Sequence, residues 1–198
     1  MARKKKAIAK YIPTERSKAI AWAFASAIGS RLPIRVFDSD HFPGLRIPML
    51  FAEGWPTPGL NTAVTLDLGD DHIHDDPPMR SIRYEFYVVA RPGWDIEQLL
   101  GDVGVRVRRH EVAPEPREFI DGGMAPTYED LNVKHLIVLE PPIVQLPVEP
   151  PDVDPPVGFL QLVPYTDTER DVLESQDRPA IWAVLRARGD DLLDFARD

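Results

Sequence analysis

Ser81–Ala90, SIRYEFYVVA, alternates Ile82, Tyr84, Phe86 and Val88 against Arg83, Glu85, Tyr87 and Val89. Successive side chains of a strand point to opposite faces, so this period of two predicts a β-strand with an apolar face. Pro92-Gly93 ends it. Upstream, Asn61–Leu68 alternates Thr62, Val64, Leu66 and Leu68 against Ala63, Thr65 and Asp67. About twelve polar residues join these two strands, a length that lets them pair as antiparallel neighbours.

Working outward, Arg46–Ala52 and Arg31–Phe37 read as two earlier strands. Pro48 has no N–H to donate to a ladder, so the first of these is expected at a sheet edge. Before them Ile20, Phe24, Ala27 and Ile28 fall at helical spacing behind the capping candidates Thr14 and Ser17, and Gly29 closes a helix over 14–29. After Pro92, Asp95–Arg109 is helical through Ile96, Leu99, Leu100, Val103 and Val107, with Gly101 and Gly104 as weak points. Residues 113–133 are irregular, and Lys134–Glu140 is a short apolar strand. Pro141–Pro156 holds seven prolines and is expected as an extended connector. Val157–Pro164 is the last strand. Thr166–Gln176 opens with Thr166 and Glu169 in capping-box spacing, and Pro179–Arg188 is a final helix before Gly189.

Grouped strands with flanking helices predict an α+β fold, with a mixed, largely antiparallel sheet in a single compact unit. The expected division is a basic tail over 1–13 and one domain over 14–198, with the connector 141–156 inside it. Only about 40 residues follow that connector, too few for a separate core, so 157–198 are expected to dock on the rest.

Composition narrows the function. The chain has 198 residues, 21 of them proline, about twice the usual ~5%. It has no cysteine, which excludes disulfides, thiolate metal sites and a cysteine nucleophile and fits a cytoplasmic location. The basic stretch Met1–Lys10 is not followed by the apolar run of a signal peptide, and no apolar run is long enough to span a membrane. A formal net charge of −9 argues against nucleic-acid binding and fits a basic partner.

Few constellations carry chemistry. Asp70–Asp76, DDHIHDD, sets His72 and His74 among Asp70, Asp71, Asp75 and Asp76. Two histidines two apart among carboxylates can ligate a divalent metal, and a metal-dependent hydrolase built on His72 and His74 is the alternative to a binding protein. The same segment also reads as a solvated acidic loop. No serine lies in a G-x-S-x-G elbow, and no phosphate-binding glycine loop is present. Hence no catalytic residue and no cofactor are assigned. Arg106–His110 is a basic cluster that suits either an acidic partner or the C-terminal turn of a helix. Trp55 and Trp94, in loops beside prolines, suit either an interface or the core.

Four stretches resemble the suppressor of fused family in its shorter bacterial form. Gly54–Leu68, GWPTPGLNTAVTLDL, is similar to a loop leading into a strand with a T-x-x-T-x-G-L-S pattern; Thr62 and Thr65 match, while Asp67 replaces the glycine and Gly69 the serine. Arg83–Ala90 carries the family's R-x-E in Arg83 and Glu85. Leu131–Pro142 resembles its apolar strand before a proline-rich stretch. Phe159–Glu169, FLQLVPYTDTE, with the helices behind it and an Asp194…Arg197 tail, resembles its most distinctive signature.

The resemblance implies a mixed fold, no catalytic residues and a protein partner, because animal members sequester a transcription factor. Bacterial members are often placed as immunity proteins that neutralise a toxin. On that implication the chain is a non-enzymatic binding protein that neutralises or sequesters a partner such as a basic toxin. The expected docking surface is Asp70, Asp71, Asp75 and Asp76, with Trp55 as its apolar anchor if the two loops lie side by side.

Overall fold

The computed structural model describes residues 11–70, 82–113, 115–116, 118–124, 128, 130–140, 142–175, 183–185, 187–188 and 192–196. Its centre is a seven-stranded mixed sheet. The strands are β1 (Arg35–Asp38), β2 (Arg46–Glu53), β3 (Asn61–Thr65), β4 (Arg83–Ala90), β5 (Phe119–Ile120), β6 (Val133–Leu139) and β7 (Val157–Thr166). Their order is β1-β2-β3-β4-β7-β6-β5. Every neighbouring pair is antiparallel except β4 and β7, which run parallel from Arg83↔Val157 to Tyr87↔Gln161. The helices are α1 (Glu15–Ile28), α2 (Ile96–Arg108) and α3 (Asp167–Ser175), and residues 183–185 and 187–188 are also helical. This is the expected α+β unit.

Strand β4 is central, which is why its two alternating sets are both buried. Phe86 and Val88 face a core built with α2 through Leu99, Leu100, Val103 and Val107. Tyr87 and Val89 face the opposite core, built with Ile20 and Phe24 of α1 and Leu146 of the connector. Beside the latter, Ile137, Leu139, Val163 and Tyr165 pack with Leu173, Leu185 and Leu192. Residues after the connector therefore supply β7 to the interior of the sheet, and Leu173, Leu185 and Leu192 beyond it pack against the sheet. Phe195 reaches the α2 side, where it packs beside Trp94 and Tyr128.

At Gly101 and Gly104, weak points in a helix by propensity, α2 lies against the sheet with no room for a side chain. A Cβ on Gly101 would stand 2.3 Å from Cγ of Phe37, and one on Gly104 would stand 2.9 Å from Cγ2 of Ile47. Packing here overrides helix propensity.

Some expectations move. The first strand starts at Arg35, not Arg31. The third stops at Thr65, and Leu68–Asp70 forms a 3-10 turn in place of its expected end. Strand β2 is not at the edge: β1 covers it. Pro48 is tolerated because it stands one residue beyond Met49↔Thr65, the last pair of the β2–β3 ladder, where only its carbonyl is used, accepting from Leu66 N–H at 3.0 Å. The irregular stretch contains the two-residue β5. Strand β7 runs through Pro164 to Thr166, since its pairing with β4 has ended by Gln161. The capping box is present: Glu169 N–H donates to Thr166 Oγ1 at 3.2 Å, and Thr166 N–H donates to Glu169 Oε2 at 2.7 Å.

Candidate functional site

Strand β3 holds a loop at each end. At its start, Asn61 Oδ1 accepts from Gly54 N–H at 3.1 Å, and Thr62 Oγ1 donates to the Trp55 carbonyl at 2.7 Å. These bonds tie down the loop between β2 and β3. Trp55 itself is 9% exposed and packs edge-on to Phe24 of α1, with centroids 5.7 Å apart. Trp94 is likewise packed inward, beside Tyr128 and Phe195.

At the other end the 3-10 turn Leu68–Asp70 launches the acidic segment. Beneath this turn lies Glu85, fully buried on β4. Its carboxylate accepts from Thr65 Oγ1 at 2.6 Å, Leu68 N–H at 3.1 Å and Gly69 N–H at 3.1 Å. Thr65 Oγ1 in turn accepts from Phe86 N–H at 2.9 Å. Burial pushes the Glu85 carboxyl up to about 7, against the three hydrogen bonds that favour its ionised form. Arg83 donates to the Gly69 carbonyl at 3.3 Å. The Arg83-x-Glu85 pair is thus the clamp that holds the turn from which the acidic segment follows in sequence.

Asp67 completes this base. It pairs with Arg108 of α2 at 2.8 Å and accepts from Tyr11 Oη at 3.4 Å. Arg108 also donates to the Arg46 carbonyl. Arg109 lies over the Phe42 ring and pairs with Glu111, and Arg106 donates to the Asp121 carbonyl. The basic cluster at the end of α2 is therefore engaged within the fold. Helix α1 spans both ends of β3: Ser17 Oγ donates to the Leu66 carbonyl at 3.3 Å, and Phe24 meets Trp55.

The sequence-derived residues separate accordingly. Asp70 closes the 3-10 turn at the Thr65 end of β3. Trp55 lies at the Asn61 end, so β3 stands between them. Asp71, Asp75, Asp76, His72 and His74 lie outside the described residues. Among the described residues, no group of three or more His, Cys, Asp or Glu side chains is placed to hold a metal ion. His135 stacks on Tyr165, accepts from Gly122 N–H at Nδ1 (3.2 Å) and meets Asp167 at 2.7 Å through Nε2, so both ring nitrogens serve the fold.

Sequence alone does not reveal the buried clamp, although Thr65, Arg83 and Glu85 are among the residues that carry the family resemblance. A charged residue inside an otherwise apolar strand is the signal that could have found it, since a buried carboxylate must have donors around it.

A family model described as suppressor of fused protein matches residues 38–198. A crystal structure of a suppressor of fused homologue from Neisseria gonorrhoeae FA 1090 superposes with a TM-score of 0.60 at 15% identity, covering 93% of this chain and 96% of that one. A chain of the Sufu–Fu complex crystal structure gives 0.62 at 16% identity, covering 92% of this chain and 89% of that one. At such identities the likeness to the two structures is one of fold. No curated protein matches the sequence. No described helix is long and apolar enough to cross a membrane. The Thr62, Thr65, Arg83 and Glu85 positions that bind the loops of β3 are residues on which the resemblance rested, and the match extends to the C-terminus: the chain belongs to the suppressor of fused family.

Proposed function

We propose that this chain is a non-enzymatic protein-binding domain, a bacterial immunity or regulatory protein that neutralises or sequesters a protein partner such as a toxin. The observation that carries this reading is the family membership over 38–198, joined to a fold shared with a chain whose structure is that of a Sufu–Fu complex. The charge of the chain supports a basic partner, since a net charge of −9 attracts such a surface from a distance.

The docking surface proposed for that partner includes the acidic segment of Asp70, Asp71, Asp75 and Asp76, launched from the Glu85 clamp. The clamp anchors the turn from which that segment follows in the chain, and the segment's four carboxylates would steer a basic partner. Trp55 enters the proposal separately. It packs on Phe24, and its part would be to shape the β2–β3 loop at the far end of β3.

The test is co-expression of the tagged chain with the products of adjacent genes, followed by size-exclusion chromatography. A stoichiometric complex with one of them supports the reading; the chain eluting alone in every case contradicts it. Elemental analysis of the same preparation addresses the metal alternative. Stoichiometric zinc or manganese that is lost in His72→Ala and His74→Ala would favour the hydrolase.

A further inference from the structure

Helix α1 carries two stripes. Ser17, Ile20 and Phe24 are buried against the sheet. Ala19, Trp22, Ala23, Ser26 and Ala27 follow the helical spacing of i, i+3, i+4, i+7 and i+8 on a second face. That face is one wall of a groove of about 760 Å³, whose other wall is the connector at Pro147, Glu149, Pro150, Pro151 and Asp152. Trp22 stands in this groove 73% exposed, the most exposed tryptophan among the described residues.

Both walls are stiff. Helix α1 is pinned through Ser17, Phe24 and Arg16, whose guanidinium donates to the Pro155 carbonyl at 2.6 Å. The connector is restrained by its prolines and by Val144, whose carbonyl accepts from Tyr87 Oη at 2.8 Å and whose N–H donates to Gln161 at 3.0 Å. The groove floor of alanines and prolines leaves space and offers few polar groups. Among the described residues, its acidic lining is Glu149 and Asp152, both exposed, and no basic one lines it. The nearest cations of α1 are engaged, Arg16 at Pro155 and Lys18 with Glu15 at 2.6 Å.

We propose that the groove between α1 and the proline connector, with Trp22 as its anchor and Glu149 and Asp152 at its rim, docks a peptide segment of a protein partner that presents an apolar side chain flanked by lysine or arginine. The inference rests on the protein-binding reading and adds to it a surface and a ligand chemistry. The small side chains make room for the apolar residue, the indole supplies a large rigid contact, and the two carboxylates select the flanking cations. Helix α1 precedes the matched residues 38–198, so family membership does not by itself supply this surface.

The experiment selects binders from a phage-displayed random peptide library on the wild-type chain. The selected peptides are then synthesised and titrated by fluorescence anisotropy against wild type, Trp22→Ala, Ala27→Lys and Glu149→Gln/Asp152→Asn. The substitutions are at exposed positions, and unchanged melting temperatures confirm folding. The expected result is enrichment of an apolar residue between lysines or arginines. Affinity should fall at least about tenfold in Trp22→Ala and Ala27→Lys. It should fall about threefold or more in the double variant at low salt, a difference that closes at high salt. Peptides without that pattern, peptides that bind all variants equally, an empty selection, or a wild-type dimer abolished by Trp22→Ala would each overturn the proposal. Equal binding to all variants would leave the protein-binding reading standing. Groove-directed peptides in a chain that complexes no adjacent gene product would instead sink that reading and keep the groove.

Discussion

Thr65 on β3 donates its hydroxyl hydrogen to Glu85 on β4 at 2.6 Å, inside the sheet and directly below the turn that launches the acidic segment. The side chains are twenty residues apart in sequence. Together with Leu68 and Gly69 they make a buried polar knot in which a carboxylate is satisfied by three donors and still resists ionisation. Such groups make stability depend on pH.

The sign follows from proton linkage. Unfolded, Glu85 titrates near 4.5; folded, burial raises it to about 7. Between those values the unfolded chain has released a proton that the folded chain still holds. The contribution of Glu85 is therefore greatest below about pH 4.5, declines as pH rises through about 7, and is constant above that. The decline amounts to about 3 kcal/mol. Urea melts from pH 5 to 8 should show wild type losing stability across this window. Glu85→Gln, with no proton to release, should lack that slope. Parallel slopes in the two proteins would mean that Glu85 titrates as an ordinary carboxylate.

Asp67 and Arg108 set the second prediction. Their side chains are 11% and 17% exposed, and the Asp67 charge adds to the rise in the Glu85 pKa. Arg108→Ala should cost about 2 kcal/mol by leaving the Asp67 carboxylate without this guanidinium in a partly buried setting. Arg108→Ala/Asp67→Asn should recover part of that loss, and Asp67→Asn alone should move the pH window of Glu85 downward. Strict additivity of the two substitutions in denaturant melts would show that the pair is not coupled.

Gly101→Ala tests the closeness of α2 to the sheet. Helix propensity alone predicts a gain of about 1 kcal/mol. The added methyl would meet the Phe37 ring at 2.3 Å, and overpacking of this kind typically costs about 1–3 kcal/mol. The account expects a net loss, relieved in Gly101→Ala/Phe37→Leu. A more stable Gly101→Ala variant would show that Phe37 gives way freely.

The acidic segment is expected to act on encounter more than on final affinity. With a partner in hand, an Asp70/Asp71/Asp75/Asp76→Asn variant should associate about tenfold more slowly at low salt and with a weaker salt dependence. Stopped-flow rates that match wild type at every ionic strength would remove this segment from the docking surface.

Much of this architecture was legible because its strands repeat cleanly. Phe86 and Val88 against Tyr87 and Val89 gave the central strand, Thr14 and Gly29 bracketed α1, and Thr166 with Glu169 announced α3. Local rules misled where tertiary contacts decide. Pro48 looked like an edge residue, but its missing N–H falls just past the end of a ladder. Gly101 and Gly104 read as helix weaknesses, but a side chain at either would collide with Phe37 or Ile47 of the sheet. The groove was not legible either. Helical spacing places Trp22 on α1, and only the path of the connector beside α1 reveals that it lines a space. Likewise the separation of Trp55 from Asp70 follows from strand direction, which spacing along the chain does not carry.

The proposed role is to bind and silence a protein partner. It is tested most directly by expressing each adjacent gene product in a host, with and without this chain, and measuring growth together with complex stoichiometry. The expected result is that one product arrests growth, that this chain restores it, and that the two purify as a stoichiometric complex which a salt gradient weakens. Growth arrest that persists with the chain present in excess, with no complex recovered for any product, would overturn this role.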